Sequence, residues 1–157
     1  MCLKCDGYTD EQIDQALELH ILIHGWAVQG VEPATPDGPA GGWAYTIGAT
    51  ENFGLPELII TDTDWDEAQH VLNWAVNRLR EGGTFDDLLS DEILWGPVHD
   101  DHIPSHLFNI YADHYGRPPE PGQYIQLFPS SHKHSAHFVK AASTDLSDPT
   151  QLPENAR

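Results

Sequence analysis

The sequence predicts a single α+β domain with a mixed or antiparallel sheet and two main helices. Two segments place apolar residues at helical spacing behind recognisable caps, and several short runs are rich in β-branched and aromatic residues. Their order, helix then strands then helix then strands, suits a layered fold. At 157 residues, 39% of them hydrophobic, the chain is long enough to bury a core without staples. Five Trp, five Tyr and five Phe set it apart from disordered chains.

The first helix is expected over residues 10–24. Thr9-Asp10-Glu11-Gln12 is a capping box, in which the Thr9 hydroxyl accepts from the Gln12 amide while the Gln12 side chain reaches back. Ile13, Leu17 and Ile21 repeat every four residues, with Ala16 and His20 alongside, and Gly25 supplies the stop. GWAVQGV then alternates as a short strand does, and PATPDGPAGG reads as a hairpin loop. GGWAYTIG and PELIITD are the clearest strands, separated by the turn-like ATENFGL. The run Leu58, Ile59, Ile60 suggests a strand covered on both faces.

TDTDWDEAQHVLNWAVNRLREGG is the strongest helix. Asp62, Thr63 or Asp64 caps it, Asp66 and Glu67 suit its positive end, and Arg78 and Arg80 suit the other. Ala68, Val71, Leu72, Ala75 and Leu79 form its core face, and Gly82 and Gly83 end it. EILWGPVHD is expected to be a strand, HLFNIYADHYG a short helix ended by Gly116, and QYIQLF a further strand. The domain is drawn at residues 1–128, with 129–157 as an extended, weakly structured tail.

Seven Lys plus Arg against 25 Asp plus Glu give a formal charge of −18. Up to Gly116 there are 3 basic and 21 acidic residues, and the 4 of each sign that follow cancel. Such a surface repels phosphates, so direct nucleic-acid binding is not expected. It suits a basic protein partner, or mimicry of DNA towards a protein that binds it. The first residues lack a charged and then apolar leader, and no apolar run approaches the length of a membrane span, so the expectation is a cytoplasmic protein without membrane contact. Nothing in the composition sets an oligomeric state.

MCLKCDG, HGWAVQGVE and WAYTIGATENFGLPELIITD, with the helix that follows, resemble the bacterial proteins of the domain of unknown function 4262 family. The likeness runs from Met1 to Gly83, with a looser echo in IYADHYG and YIQLF. It implies a fold and carries no mechanism. In the family the final strand usually runs into a Trp, an acidic turn and a Pro-Trp pair, whereas here it runs into PSSHKHSAH.

Two constellations carry candidate chemistry. Cys2 and Cys5 are the only cysteines, and their spacing can chelate zinc if two further ligands come from the histidines. His132 and His134 are the candidates in the tail, beside His137, and His99, His102 and His106 offer a second set. The alternatives are a redox pair, which lacks its usual place at a helix start, and two small apolar residues that tuck the N-terminal segment onto the domain. The second constellation is WAYTIGATENFGLPEL, where Tyr45, Thr46, Glu51 and Glu57 place two hydroxyls and two carboxylates around one hairpin. Tyr45 and Glu57 are its candidate catalytic pair, with His99 or His102 as an acid/base partner. The structural alternative turns Tyr45 and Ile47 into the core and uses Glu57 to satisfy backbone amides in the adjacent turn. His20 and His24, one helical turn apart, offer either a shared metal or a packing edge and a helix-end contact. No G-x-S-x-G or phosphate-loop motif is present. The leading expectation is a non-catalytic protein-interaction or regulatory domain. The rivals are a zinc-dependent or acid/base enzyme and a DNA-mimic inhibitor.

Overall fold

Thr9 starts the first helix, α1 (Asp10–His24), in the way its sequence requires. Its hydroxyl accepts from the Gln12 amide at 3.1 Å while its own amide donates to Gln12 Oε1 at 2.9 Å, and Gly25, left-handed at φ 92°, closes the other end. In this computed structural model the described residues are 7–31, 42–62, 64–90, 93–103, 106–129 and 144–150. The hairpin loop read in PATPDGPAGG lies outside them, apart from its last glycine.

Strand β1 (Ala27–Val31) pairs antiparallel with β2 (Trp43–Ile47), Ala27 opposite Ile47. Residues read as a turn form a short helix, α2 (Ala49–Phe53), bounded by Gly48 and Gly54, both left-handed. β3 (Glu57–Thr61) follows, antiparallel to β2, and Leu58, Ile59 and Ile60 are fully buried as their run suggests. Asp64 caps the long helix α3 (Trp65–Arg80) by accepting from the Glu67 amide at 3.0 Å. The six-residue α4 (Phe85–Ser90) is too short to show a period and was not expected. Its start is fixed by Thr84 and Asp87, whose side chains each accept from the other's amide.

Strand β4 (Ile93–Pro97), two 3-10 turns at 100–102 and 106–108, α5 (Asn109–Tyr115) and β5 (Tyr124–Pro129) complete the order. The result is α+β, one five-stranded sheet in the order β1-β2-β3-β5-β4. Only the central pair β3 and β5 is parallel, which makes the sheet mixed.

Both faces of the sheet are covered. On one side Ala44, Leu58, Ile60 and Leu127 meet Val71, Leu72, Ala75 and Leu79 of α3. On the other, Tyr45, Ile47, Ile59 and Tyr124 meet Leu17 of α1, Leu107 and Phe108 before α5, and Tyr111 within it. Residues 144–150, placed by the sequence in the tail, dock on this second side. Leu146 is fully buried, its amide donates to Gln126 Oε1 at 2.7 Å, and its carbonyl accepts from His99 N at 2.7 Å. Asp62, at φ 58°, takes the left-handed conformation that Asp tolerates and accepts from Thr144 N at 2.7 Å. Among the described residues no helix is long and apolar enough to cross a membrane.

Candidate functional site

Tyr45 and Glu57 stand on adjacent strands, and both side chains are enclosed, at 0% and 1% exposure. The Tyr45 hydroxyl accepts from Ile110 N at 3.1 Å, and its ring meets Phe108 and Tyr124 edge-on. Burial pushes its phenol well above the ordinary range, so it keeps its proton. Glu57 is surrounded by donors. Thr46 Oγ1 and the Ala49 amide donate to Oε1 at 2.8 and 3.2 Å, and the Gly48 and Thr50 amides donate to Oε2 at 2.9 and 3.3 Å. The carboxyl thus satisfies the opening amides of α2, the role that the packing account of the sequence gives it. Burial raises its pKa to about 7 against the opposing pull of those hydrogen bonds. Tyr124 donates to the Thr46 carbonyl at 2.6 Å, and Tyr115 to Glu51 Oε2 at 2.9 Å. His99 and His102, the expected acid/base partners, are engaged elsewhere: His99 Nδ1 accepts from the Asp101 amide at 3.1 Å, and His102 Nε2 lies 2.8 Å from the Asp148 carbonyl of the docked segment.

Cys2, Cys5, His132 and His134 lie outside the described residues, as does His137. Among the described residues one group brings three metal-ligating atoms within 4.8 Å of one another: Asp14 and Glu18 on α1, one turn apart, and His114 on α5. His114 Nδ1 is 3.3 Å from Asp14 Oδ1, so a side-chain contact between the two helices already accounts for the grouping. His20 and His24 are exposed, their rings 5.8 Å apart, on another flank of α1.

Helix α1 is a ridge with three usable sides. Ile13 and Leu17 are buried beneath it. Opposite them Leu19, Leu22 and Ile23 stand in water at 55%, 82% and 63% exposure. Spacings of three and four residues make these three one contiguous apolar crest rather than scattered side chains. Glu11, Asp14 and Glu18 run along one flank at the same spacings, all exposed.

The other flank borders a cleft of about 800 Å³ between α1 and α3. His20, Ile23 and His24 form one wall, Gln69, Asn73 and Asn77 the other, and β1 the floor. Trp26 Nε1 donates to Asn73 Oδ1 at 2.9 Å, which fixes the indole at the start of β1. At that end the Arg80 guanidinium lies over the rings of Trp26 and Phe53, 5.7 and 5.2 Å from their centroids. At the far end Trp65 packs directly against Gly30, leaving no room for a side chain there.

The family model described as Domain of unknown function (DUF4262) matches residues 20–135. The chain belongs to that family. Comparison with curated proteins and with solved structures gives no match. The matched span of this DUF4262 domain holds all five strands, the Glu57 cap and the whole α3 wall of the cleft. Arg80 was read from sequence only as a charge suited to a helix end. The sequence signal for this wall is the spacing of four in Gln69, Asn73 and Asn77, a polar stripe beside the apolar one. The cleft in the DUF4262 domain could not be read further, because its opposite wall comes from α1 across the sheet edge.

Proposed function

We propose that this domain is a non-catalytic interaction module that binds a basic protein partner over α1. The observation that carries this reading is the apolar crest of Leu19, Leu22 and Ile23 beside the acidic flank of Glu11, Asp14 and Glu18. An apolar centre with a charged margin is the usual anatomy of a protein interface, and the sign of the margin selects the partner. The sequence adds to it: with a charge of −18, the chain attracts basic surfaces from beyond contact range.

The test is photocrosslinking from position 22 in cells, followed by titration of the purified crosslinked polypeptide into the domain. The partner is expected to be basic and to bind less tightly as salt rises. Leu19→Ser with Leu22→Ser, or Asp14→Asn with Glu18→Gln, weakens it by about tenfold or more, the scale of a central contact. Asp86→Asn with Asp87→Asn, on α4, removes the same charge and leaves binding unchanged. A partner that holds both α1 variants as tightly as the natural chain refutes the reading.

A further inference from the structure

Successive residues of a strand face opposite sides of its sheet, so a cleft lined by Trp26, Ala27, Val28, Gln29 and Gly30 in unbroken order touches the strand's edge. Among the described residues β1 is the outermost strand and pairs only with β2, on its inner side. Among the described residues no backbone hydrogen bond reaches its outer edge from α1 or α3, and the one side-chain bond there is local, Gln29 Nε2 to the Gly30 carbonyl. Open edges are a hazard that proteins usually blunt with Lys, Pro or a bulge, and β1 carries neither residue. Here two helices flank the edge instead. They bar a second sheet from approaching, while the cleft between them has the size of a binding site.

The charge at one end of this cleft points the same way. Arg80 forms no ion pair among the described residues, in a chain with 25 acidic and 7 basic residues. Its guanidinium carbon lies over the Trp26 and Phe53 rings, and no N–H of Arg80 bonds to a described residue, so those donors can take a carboxylate in a forked geometry.

We propose that the cleft receives an extended peptide, which adds to the sheet as a strand antiparallel to β1 and places its terminal carboxylate on Arg80. The direction follows from position: Arg80 stands beside Trp26, where β1 begins, and a strand antiparallel to β1 ends there. Main-chain hydrogen bonds to the edge supply sequence-independent affinity, and the amide stripe of Gln69, Asn73 and Asn77 meets alternate side chains. This site borders the α1 crest and shares Ile23 with it, but it rests on the β1 edge and Arg80, so either can stand without the other.

The test uses an array of random pentapeptides with free C-termini. The best binder is resynthesised as the free acid and as the C-terminal amide, and both are titrated by fluorescence anisotropy. The acid is expected to bind at least about tenfold more tightly than the amide, the difference that loss of one charge-assisted contact makes. Arg80→Gln brings the acid to the level of the amide, and Arg117→Gln changes neither. Amide hydrogen exchange slows at residues 27–31 when the acid binds. The comparison of acid with amide is made on the natural chain, so it stands even if Arg80→Gln unfolds. Equal affinities for acid and amide overturn the proposal, as does an array with no binder tighter than about 1 mM. So does protection that falls outside β1, or N-acetylglycine competing as strongly as the peptide, which would put the affinity in the carboxylate alone.

Discussion

Replacing Glu57 by Gln separates the two forces on its carboxyl. Burial favours the neutral acid, the four donors favour the anion, and the balance leaves the group at about 7 against its ordinary 4.5. A group that holds its proton more tightly folded than unfolded gives stability that is full below the unfolded value. That stability is lost as pH rises towards the folded value, because over that window the unfolded chain has released a proton that the native chain keeps. The window here runs from 4.5 to about 7. At about 1.4 kcal/mol for each pH unit, the loss is about 3 kcal/mol.

A Gln side chain does not ionise and escapes that loss. It has a cost of its own, since one end becomes an NH2 facing the amides of Gly48, Ala49 and Thr50, and at least one buried donor loses its acceptor. That amounts to about 1–3 kcal/mol. Near pH 4, then, Glu57→Gln is less stable than the natural chain by about that amount, and near pH 8 the deficit shrinks to nothing or changes sign. Urea unfolding of both chains at the two pH values measures it, and every other titrating group cancels in the difference. A deficit that grows with pH refutes the reasoning, for it would mean that the hydrogen bonds outweigh burial and hold the carboxyl below its ordinary value.

Two further substitutions probe how the site is held. Gly30→Ala puts a methyl group into the Trp65 ring, and the forced shift costs about 1–3 kcal/mol, read as a lower urea midpoint with unchanged slope; an unaffected midpoint would show that Trp65 has another place to go. Leu146→Ala empties a fully buried position and costs about 2–5 kcal/mol, with faster amide exchange at 144–150 as its signature; exchange there equal to that of the natural chain would mean that Leu146 does not anchor the segment.

What the sequence revealed divides by range. The capping box at Thr9, the left-handed stop at Gly25 and the consecutive apolar residues of β3 are decided within a few positions of the chain, and all were legible. α2 was not, because the carboxyl that closes its first amides belongs to a residue beyond its own end: Gly48, Ala49 and Thr50 have no cap until β3 brings Glu57 back. The same limit hid the contact between Asp14 and His114, 100 positions apart, and the docking of Leu146 on Gln126. Tyr45 shows the middle case. Strand alternation placed its ring in the core, but its hydroxyl's partner, the amide of Ile110, is known only once α5 is in place.

Distance along the chain also bears on what the acidity means. Asp10 and Glu11, Asp66 and Glu67, Asp86 and Asp87, and Asp100 and Asp101 all occupy first turns. There they oppose the partial positive charge of a helix start, a local stabilisation that needs no partner. A large share of the excess negative charge is therefore explained by the fold, so the total charge steers a basic partner at long range without choosing where it binds. Asp14 and Glu18 are different: they lie past the first turn of α1, beside exposed Leu22, and Asp14 also meets the His114 ring. The interaction reading consequently rests most on those two carboxylates and the crest they border, with Glu11 serving both the helix start and the flank. That is why removing the same charge from α4 is the control that separates a specific interface from a merely acidic surface.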